Sequence, residues 1–464
     1  MSTFYIEQFG CRATQADAAA IERQLLERGY VASSNANGAD IVVVNTCTVT
    51  AAADLQARQS IRTIYRENPS ARVIVTGCYA QRAPEELAAL EGVSWVVGNS
   101  HKPEIPRLVA EMQPLRMPVP APAALEGFVP LDTITGETFS HRREPAQILT
   151  GDIQEQQTLL VAPVEGGEAG HTRPVLKIQD GCNKRCSYCV IPQVRGRSRS
   201  LLPEIVVEEI GKLCAGGARE IVLSGIDLGN YGRDLTPRAE LGELLKLILE
   251  RTDVERLRVS SVEPMDVTED LIRIFAENAR MARHFHMPMQ SGSDRVLRAM
   301  HRWYRAEHYA RHAQLVRELL PDAAIGADVI AGFPGETEAD HQATLSLIDS
   351  LPLTYLHVFS FSSRPGTAAA EMENQVAEQE ISHRARELRA LGEKKKAAFQ
   401  SAQAGCTIRA LTLHRCGENA SGPWTRALSS NYLDVRVSGE WPANQFLDVW
   451  IKSAGDGHLN GTAL

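Results

Sequence analysis

Six short β-rich runs, VLKIQ, REIVLSG, RLRVSS, HFHMPM, AIGADVIAG and YLHVFSF, follow one another between residues 174 and 362, each separated from the next by a helix-like stretch. Alternation of this kind calls for parallel strands joined by crossover helices, and six βα units predict a parallel barrel or part of one. A shorter series, FYIEQFG, DIVVVN, ARVIVTG and SWVVG, occupies residues 4–97 and predicts an open, mostly parallel α/β sheet. After residue 405 the pattern changes to TIRALTLH, YLDVRVSG and FLDVWIKS between turn residues, as expected of a small β-barrel or sandwich. The fold class is therefore α/β. The expected organisation is an N-terminal open parallel domain over residues 1–112, a linker or insertion over 113–170, a partial six-unit barrel with a trailing basic helix over 171–400, and a β domain over 401–464.

The loop DGCNKRCSYC directly follows the first barrel strand and places Cys182, Cys186 and Cys189 within eight positions. Barrels of parallel strands carry their chemistry at this C-terminal rim. Three soft thiolates at such spacing suit an iron–sulfur cluster with one iron left open, or zinc completed by a distant fourth ligand. The segments SGIDLGNYG, SSVEP, MQSGSD and GADVIAGFPGET end later strands on the same rim. Any one of them reads more readily as a tight βα turn, but four together point to a cofactor pocket.

Three further cysteines, Cys11, Cys47 and Cys78, follow FYIEQFG, DIVVVN and ARVIVTG at intervals of 36 and 31 residues, about one βα repeat each. A single cysteine in such a place is usually a buried small hydrophobe. Three at equivalent strand ends imply a second three-thiolate cluster. Cys214, Cys406 and Cys416 lack partners at ligand spacing and are assigned to packing.

The C-x3-C-x2-C loop, with Tyr188 before its last cysteine, resembles that of the radical S-adenosylmethionine enzymes. In that family the cluster's open iron is chelated by S-adenosylmethionine, whose reductive cleavage yields a 5′-deoxyadenosyl radical. The resemblance implies that Tyr188, Ser224, Gly225, Gln290, Gly332 and Glu336 line the cofactor pocket. Taken with FGCRATQAD, NTCTVT and GCYAQ, and with a C-terminal stretch that looks like a degenerate TRAM-type RNA-binding domain, the chain resembles the methylthiotransferases. This implies two [4Fe-4S] clusters, S-adenosylmethionine and an external low-potential electron donor.

Within that family QDGCNKRCSYCVIPQVRGRSRS, SSVEP and YLHVFSFSSRPGT resemble the branch that methylthiolates carbon 2 of N6-threonylcarbamoyladenosine at position 37 of tRNA. The alternatives are the isopentenyladenosine branch and the branch acting on a ribosomal protein. Thr14, standing where the family commonly has asparagine, and the long Pro/Ala linker depart from the pattern. No side-chain acid or base is named by the sequence.

A tRNA anticodon stem-loop needs a positive landing surface, which the net charge of −8 does not supply globally. Lys184, Arg185, Arg195, Arg197 and Arg199 lie between Cys182 and Ser200 with no acidic residue among them, and are the expected RNA contacts unless they are simply a solvated loop. Arg142, Arg143 and the run 301–312 were natural extensions of that patch. No apolar run approaches the roughly 20 residues of a membrane span. A cytoplasmic, monomeric protein is expected.

Overall fold

The computed structural model describes residues 2–111, 145–164, 172–419, 422–455 and 457–464. These form two compact units, one of residues 2–10, 21–48 and 52–152, the other of 11–20, 49–51 and 153–464. Arg142 and Arg143 lie outside the described residues.

The first unit is built on a six-stranded sheet in the order β2-β1-β3-β4-β5-β6, from β1 (Thr3–Gln8), β2 (Val31–Ala32), β3 (Ile41–Thr46), β4 (Arg72–Gly77), β5 (Val93–Gly98) and β6 (Gln147–Leu149). Every pairing is parallel. The run IVVVNT in β3 is buried throughout because both of its faces are covered. Val42 and Val44 pack with Ala57, Ile61, Val73 and Val75 on one side, while Ile41 and Val43 pack with Phe4, Ile21 and Leu25 on the other.

In the second unit β7 (Pro163–Val164) lies antiparallel on β8 (Val175–Lys177), and β9 (Gln179–Asp180) pairs with β10 (Arg199–Ser200). Six parallel strands follow the order β8, β11 (Glu220–Ser224), β12 (Arg256–Val259), β13 (His284–His286), β14 (Ala324–Ala331) and β15 (Tyr355–Ser360). Only isolated bridges, Leu257 to Met281 and Ser261 to His286, join β12 to β13. All six strands read from the sequence are present, as a partial (β/α)6 barrel. Residues Ile325, Ala327 and Val329 of β14 join the core with Leu176, Leu223, Leu257 and the buried faces of the helices.

The C-terminal residues close into a small barrel in the order β16-β17-β18-β20-β19, from β16 (Thr407–Asn419), β17 (Gly422–Ser429), β18 (Asp434–Ser438), β19 (Phe446–Gly455) and β20 (His458–Ala463). Ala410, Ala427, Val435, Val449, Ile451 and Leu459 fill it. It is fastened to the larger barrel by arginines. Arg256 donates to the carbonyls of Leu428 and Arg409, and Arg258 to those of Ser429 and Ser430. Behind them lies Glu220, fully buried and bonded to Arg258 at 2.8 Å, Arg256 at 3.1 Å and Arg173 at 3.2 Å. Among the described residues no helix is long and apolar enough to cross a membrane.

Candidate functional site

The cysteine loop is held open by backbone rather than by regular structure. Gly181 adopts φ +72, and a Cβ there would strike the Arg197 carbonyl, so the turn into Cys182 requires glycine. Cys182 then donates its N–H to Gly196 O at 3.0 Å, and Cys189 to Cys186 O at 3.0 Å. Ser187 is tied to the backbone of Met300 and Ala299.

All three cysteines are free thiols of intermediate exposure. Burial pushes the Cys189 thiol up to about 12, and burial with the nearby Asp227 raises that of Cys182 further. Such thiols stay protonated until a metal displaces the proton. Two donors already aim at the sulfurs: the Lys184 N–H lies 3.4 Å from Cys182 Sγ, and Arg302 Nη1 3.3 Å from Cys186 Sγ. Three soft donors on one loop, with N–H groups directed at them, fit an iron–sulfur cluster.

Around the loop is a ring of charge that the sequence reading missed. Arg302, 8% exposed, is held by Glu263 at 2.5 Å and by the Tyr304 hydroxyl at 3.2 Å, which itself donates to Met289 O. Lys184 pairs with Asp227 at 2.9 Å and stands 3.8 Å from Asp266. Gln179 links the loop to the next strand end: its amide nitrogen donates to Gly181 O, and its oxygen accepts from the N–H groups of Ile226 and Asp227. The signal for Asp227 and Glu263 was their place just after β11 and β12, in SGIDLG and SSVEP. Arg302 falls within the run 301–312, expected as an extension of the RNA-contacting patch, and its burial against Glu263 and Cys186 removes it from that surface.

The expected pocket residues occupy several different settings. Ser224 ends β11, buried, and Gly225 follows where a Cβ would meet Leu228 and Gln179. Gln290 sits at φ 65, its backbone fixed by Asp328 O and the Ile330 N–H. Tyr188 packs edge to face on Phe333, with ring centroids 6.4 Å apart. Glu336 is buried, accepts from the Gly332 N–H at 2.6 Å and pairs with Arg384 at 3.1 Å. Burial raises the Glu336 carboxyl against those partners.

The expected basic rim divides. Arg185 and Arg197 are exposed. Arg195 instead is 1% exposed, with its guanidinium 3.0 Å from both Asp180 oxygens and 3.2 Å from Asp17, and Lys177 bridges the same two carboxylates. Arg199 is buried too, donating to Arg195 O at 2.9 Å. The expectation that Arg195 and Arg199 touch RNA is thus corrected, because both are committed inside the protein. Lys184 is neutralised by its ring of carboxylates.

In the first unit Cys47 and Cys78 are buried directly beyond the last paired residues of β3 and β4, Thr46 and Gly77. Gly77, at φ +101, lies against the Thr46 backbone, where any Cβ would collide. Cys78 Sγ accepts from Asn99 Nδ2 at 3.6 Å. Cys11 belongs to the second unit, is exposed and lies 3.4 Å from the Thr14 hydroxyl. Cys214, of intermediate exposure, and the exposed Cys406 and Cys416 are free thiols of the second unit.

Residues 3–98 match the model of Uncharacterized protein family UPF0004, and residues 176–348 that of the Radical SAM superfamily. The threonylcarbamoyladenosine tRNA methylthiotransferase MtaB of Aquifex aeolicus (strain VF5) is 35% identical over 96% of this chain and 99% of its own. A tRNA-2-methylthio-N(6)-dimethylallyladenosine synthase of Syntrophobacter fumaroxidans is 34% identical over 80% of this chain and 76% of its own. Among solved structures, the radical S-adenosylmethionine methyltransferase TsrM of Kitasatospora setae, with cobalamin and a [4Fe-4S] cluster bound, shares the fold with a TM-score of 0.56 at 18% identity. That match covers 80% of this chain and 74% of TsrM.

Proposed function

The chain belongs to the radical S-adenosylmethionine methylthiotransferase family, and on that premise we propose that it methylthiolates carbon 2 of N6-threonylcarbamoyladenosine at position 37 of tRNA. The observation that carries the reading is the three-thiol loop at the C-terminal rim of a six-stranded parallel barrel, in a chain aligned end to end with an enzyme named for that nucleoside. When bound, a [4Fe-4S] cluster and S-adenosylmethionine supply a one-electron cleavage that generates a carbon-centred radical.

The chain's own groups hold and shape that site. Cys182, Cys186 and Cys189 are the ligands of the radical cluster, with Tyr188, Ser224, Gly225, Gln290, Gly332 and Glu336 on the cofactor side of the rim. Cys11, Cys47 and Cys78 are the ligands of a second cluster that serves sulfur insertion, a role supported by their places just after β1, β3 and β4. The ranges 1–112, 171–400 and 401–464 are the corresponding domains, and the 113–170 segment expected as a linker also lends β6 to the sheet of the first unit and β7 to β8 of the second. The protein works as a cytoplasmic monomer fed by a low-potential electron donor.

Arg302 places a cation and an N–H against Cys186 Sγ, an arrangement that favours the more negative, reduced state of a cluster bound there. Arg302→Met is expected to move the cluster's midpoint potential downward with iron content unchanged, read by a redox titration followed by electron paramagnetic resonance. An unmoved potential would confine Arg302 to holding Glu263.

Two arginines separate RNA contact from stability. Arg197→Glu, at an exposed position, is expected to weaken tRNA binding and flatten its salt dependence while thermal unfolding stays unchanged. Arg195→Ala leaves Asp17 and Asp180 buried with one cation fewer, a loss of roughly 3 kcal/mol or more that shows in the melting curve. Equal effects of the two variants on binding, with no difference in melting, would contradict this division.

The reaction is tested with anaerobically reconstituted protein, S-adenosylmethionine, reductant and tRNA bearing threonylcarbamoyladenosine, digested and weighed as nucleosides. Replacement of one hydrogen by a methylthio group on that nucleoside is the expected result. An unchanged nucleoside alongside accumulating 5′-deoxyadenosine would transfer the activity to isopentenyl tRNA or a ribosomal protein.

A further inference from the structure

Three metal-ligating side chains meet on the barrel wall, each from a separate strand and none from the cysteine loop. His286 closes β13, Asp328 lies mid-way along β14 and His357 stands on β15. Register brings them together: Asp328 is paired with His357, and His286 with Gly326, which precedes Asp328 by one same-face step. Asp328 Oδ1 lies 2.8 Å from His286 Nε2 and 3.3 Å from His357 Nδ1, and the three atoms fall within 4.8 Å of one another. They occupy the face of β14 opposite Ile325, Ala327 and Val329, which pack on the helices.

We propose that His286, Asp328 and His357 bind a divalent transition-metal ion of the zinc class, distinct from either iron–sulfur cluster. Two imidazole nitrogens and one carboxylate oxygen are the donor set such ions take, and three protein ligands leave positions for water or a substrate oxygen. Exposure grades across the site, with the side chain of His286 at 7%, Asp328 at 21% and His357 at 53%, so its open positions face outward through His357.

The surroundings orient the ligands. His286 Nδ1 is bonded to the Tyr355 hydroxyl at 2.9 Å, which turns Nε2 toward Asp328. Tyr355 reaches there because its register partner is Gly326, where a side chain would overlap the tyrosine ring. The same hydroxyl is 2.7 Å from His284 Nε2.

The site is tested on the full-length, cluster-reconstituted protein, stripped with chelator, titrated with zinc alone and desalted. One zinc per chain is expected by mass spectrometry, lost in Asp328→Asn and in His357→Ala, with iron, sulfide and circular dichroism unchanged. Tyr355→Phe, which removes only the hydroxyl behind His286, is expected to weaken zinc about 10- to 100-fold. Failure of the parent protein to retain zinc, or equal retention in Asp328→Asn and His357→Ala, overturns the proposal. Equal retention would assign the zinc to thiols. Neither result bears on the reaction assigned above, which is read on the nucleoside.

Discussion

Cys186→Ala is expected to abolish both cleavage of S-adenosylmethionine and methylthio transfer, a fall of at least about a thousandfold, or roughly 4 kcal/mol in the barrier. Cys186 is the central residue of the three-thiol loop and the one whose sulfur faces the Arg302 guanidinium. Two cysteines cannot keep a site-differentiated cluster in place, and the buried Arg302–Glu263 pair would then face a cavity instead of a bound anion. Cys78→Ala should behave differently, since Cys78 belongs to the other trio of thiols and lies in the first unit. Its variant is expected to keep forming 5′-deoxyadenosine while transfer disappears. Measuring the two products in parallel decides the matter: loss of cleavage in both variants would refute separate roles for the two groups of cysteines.

The largest effect on stability is expected at Glu220, far from any reacting group. Glu220→Ala leaves Arg173, Arg256 and Arg258 sharing a buried space without their counter-ion, at a cost of about 3–5 kcal/mol. Burial alone would raise the Glu220 carboxyl, but Arg258, Arg173 and Arg256 outweigh it and hold its pKa at about 2, against an ordinary 4.5. A group depressed in the folded state stabilises fully above its unfolded pKa and loses that contribution as pH falls toward the folded value. The parent protein should therefore lose stability between about pH 4.5 and pH 2, and Glu220→Ala should lack that part of the acid dependence. Denaturant melts at several pH values check this. Parallel curves for the two proteins would show that Glu220 does not carry the linkage.

A strand such as EIVLS could be read from sequence because burial on both faces leaves a near-continuous apolar run, while AIGADVIA and YLHVFS were legible as β-rich runs between helical stretches. Strands lacking that signature escaped. Val31–Ala32 has two exposed residues, GPWTRALS opens on Gly-Pro, and HLNGTA carries asparagine and glycine in its centre. The cysteines stood out because glycine and strand ends frame them. The basic rim misled for a definable reason: the count of charges began at Cys182 and so missed Asp180 two residues earlier, while Asp17 lies 178 positions from Arg195. Spacing along a chain reveals ligands on one loop, but it does not reveal which distant carboxylate will absorb an arginine. The His286–Asp328–His357 grouping was hidden likewise, since each residue comes from a separate strand.

The arginines that fasten the small C-terminal barrel also set an order of events during synthesis. Arg256 and Arg258 lie on the third of the six barrel strands, yet the carbonyls of Leu428 and Ser430 that receive them come 172 residues later. At about 5–20 residues per second the ribosome needs roughly 10–35 s to deliver them. During that interval the nascent barrel carries guanidinium groups whose final acceptors do not yet exist. The last strands to leave the ribosome therefore complete a wall begun much earlier, and a chain that stops short of residue 428 ends with that wall unfinished.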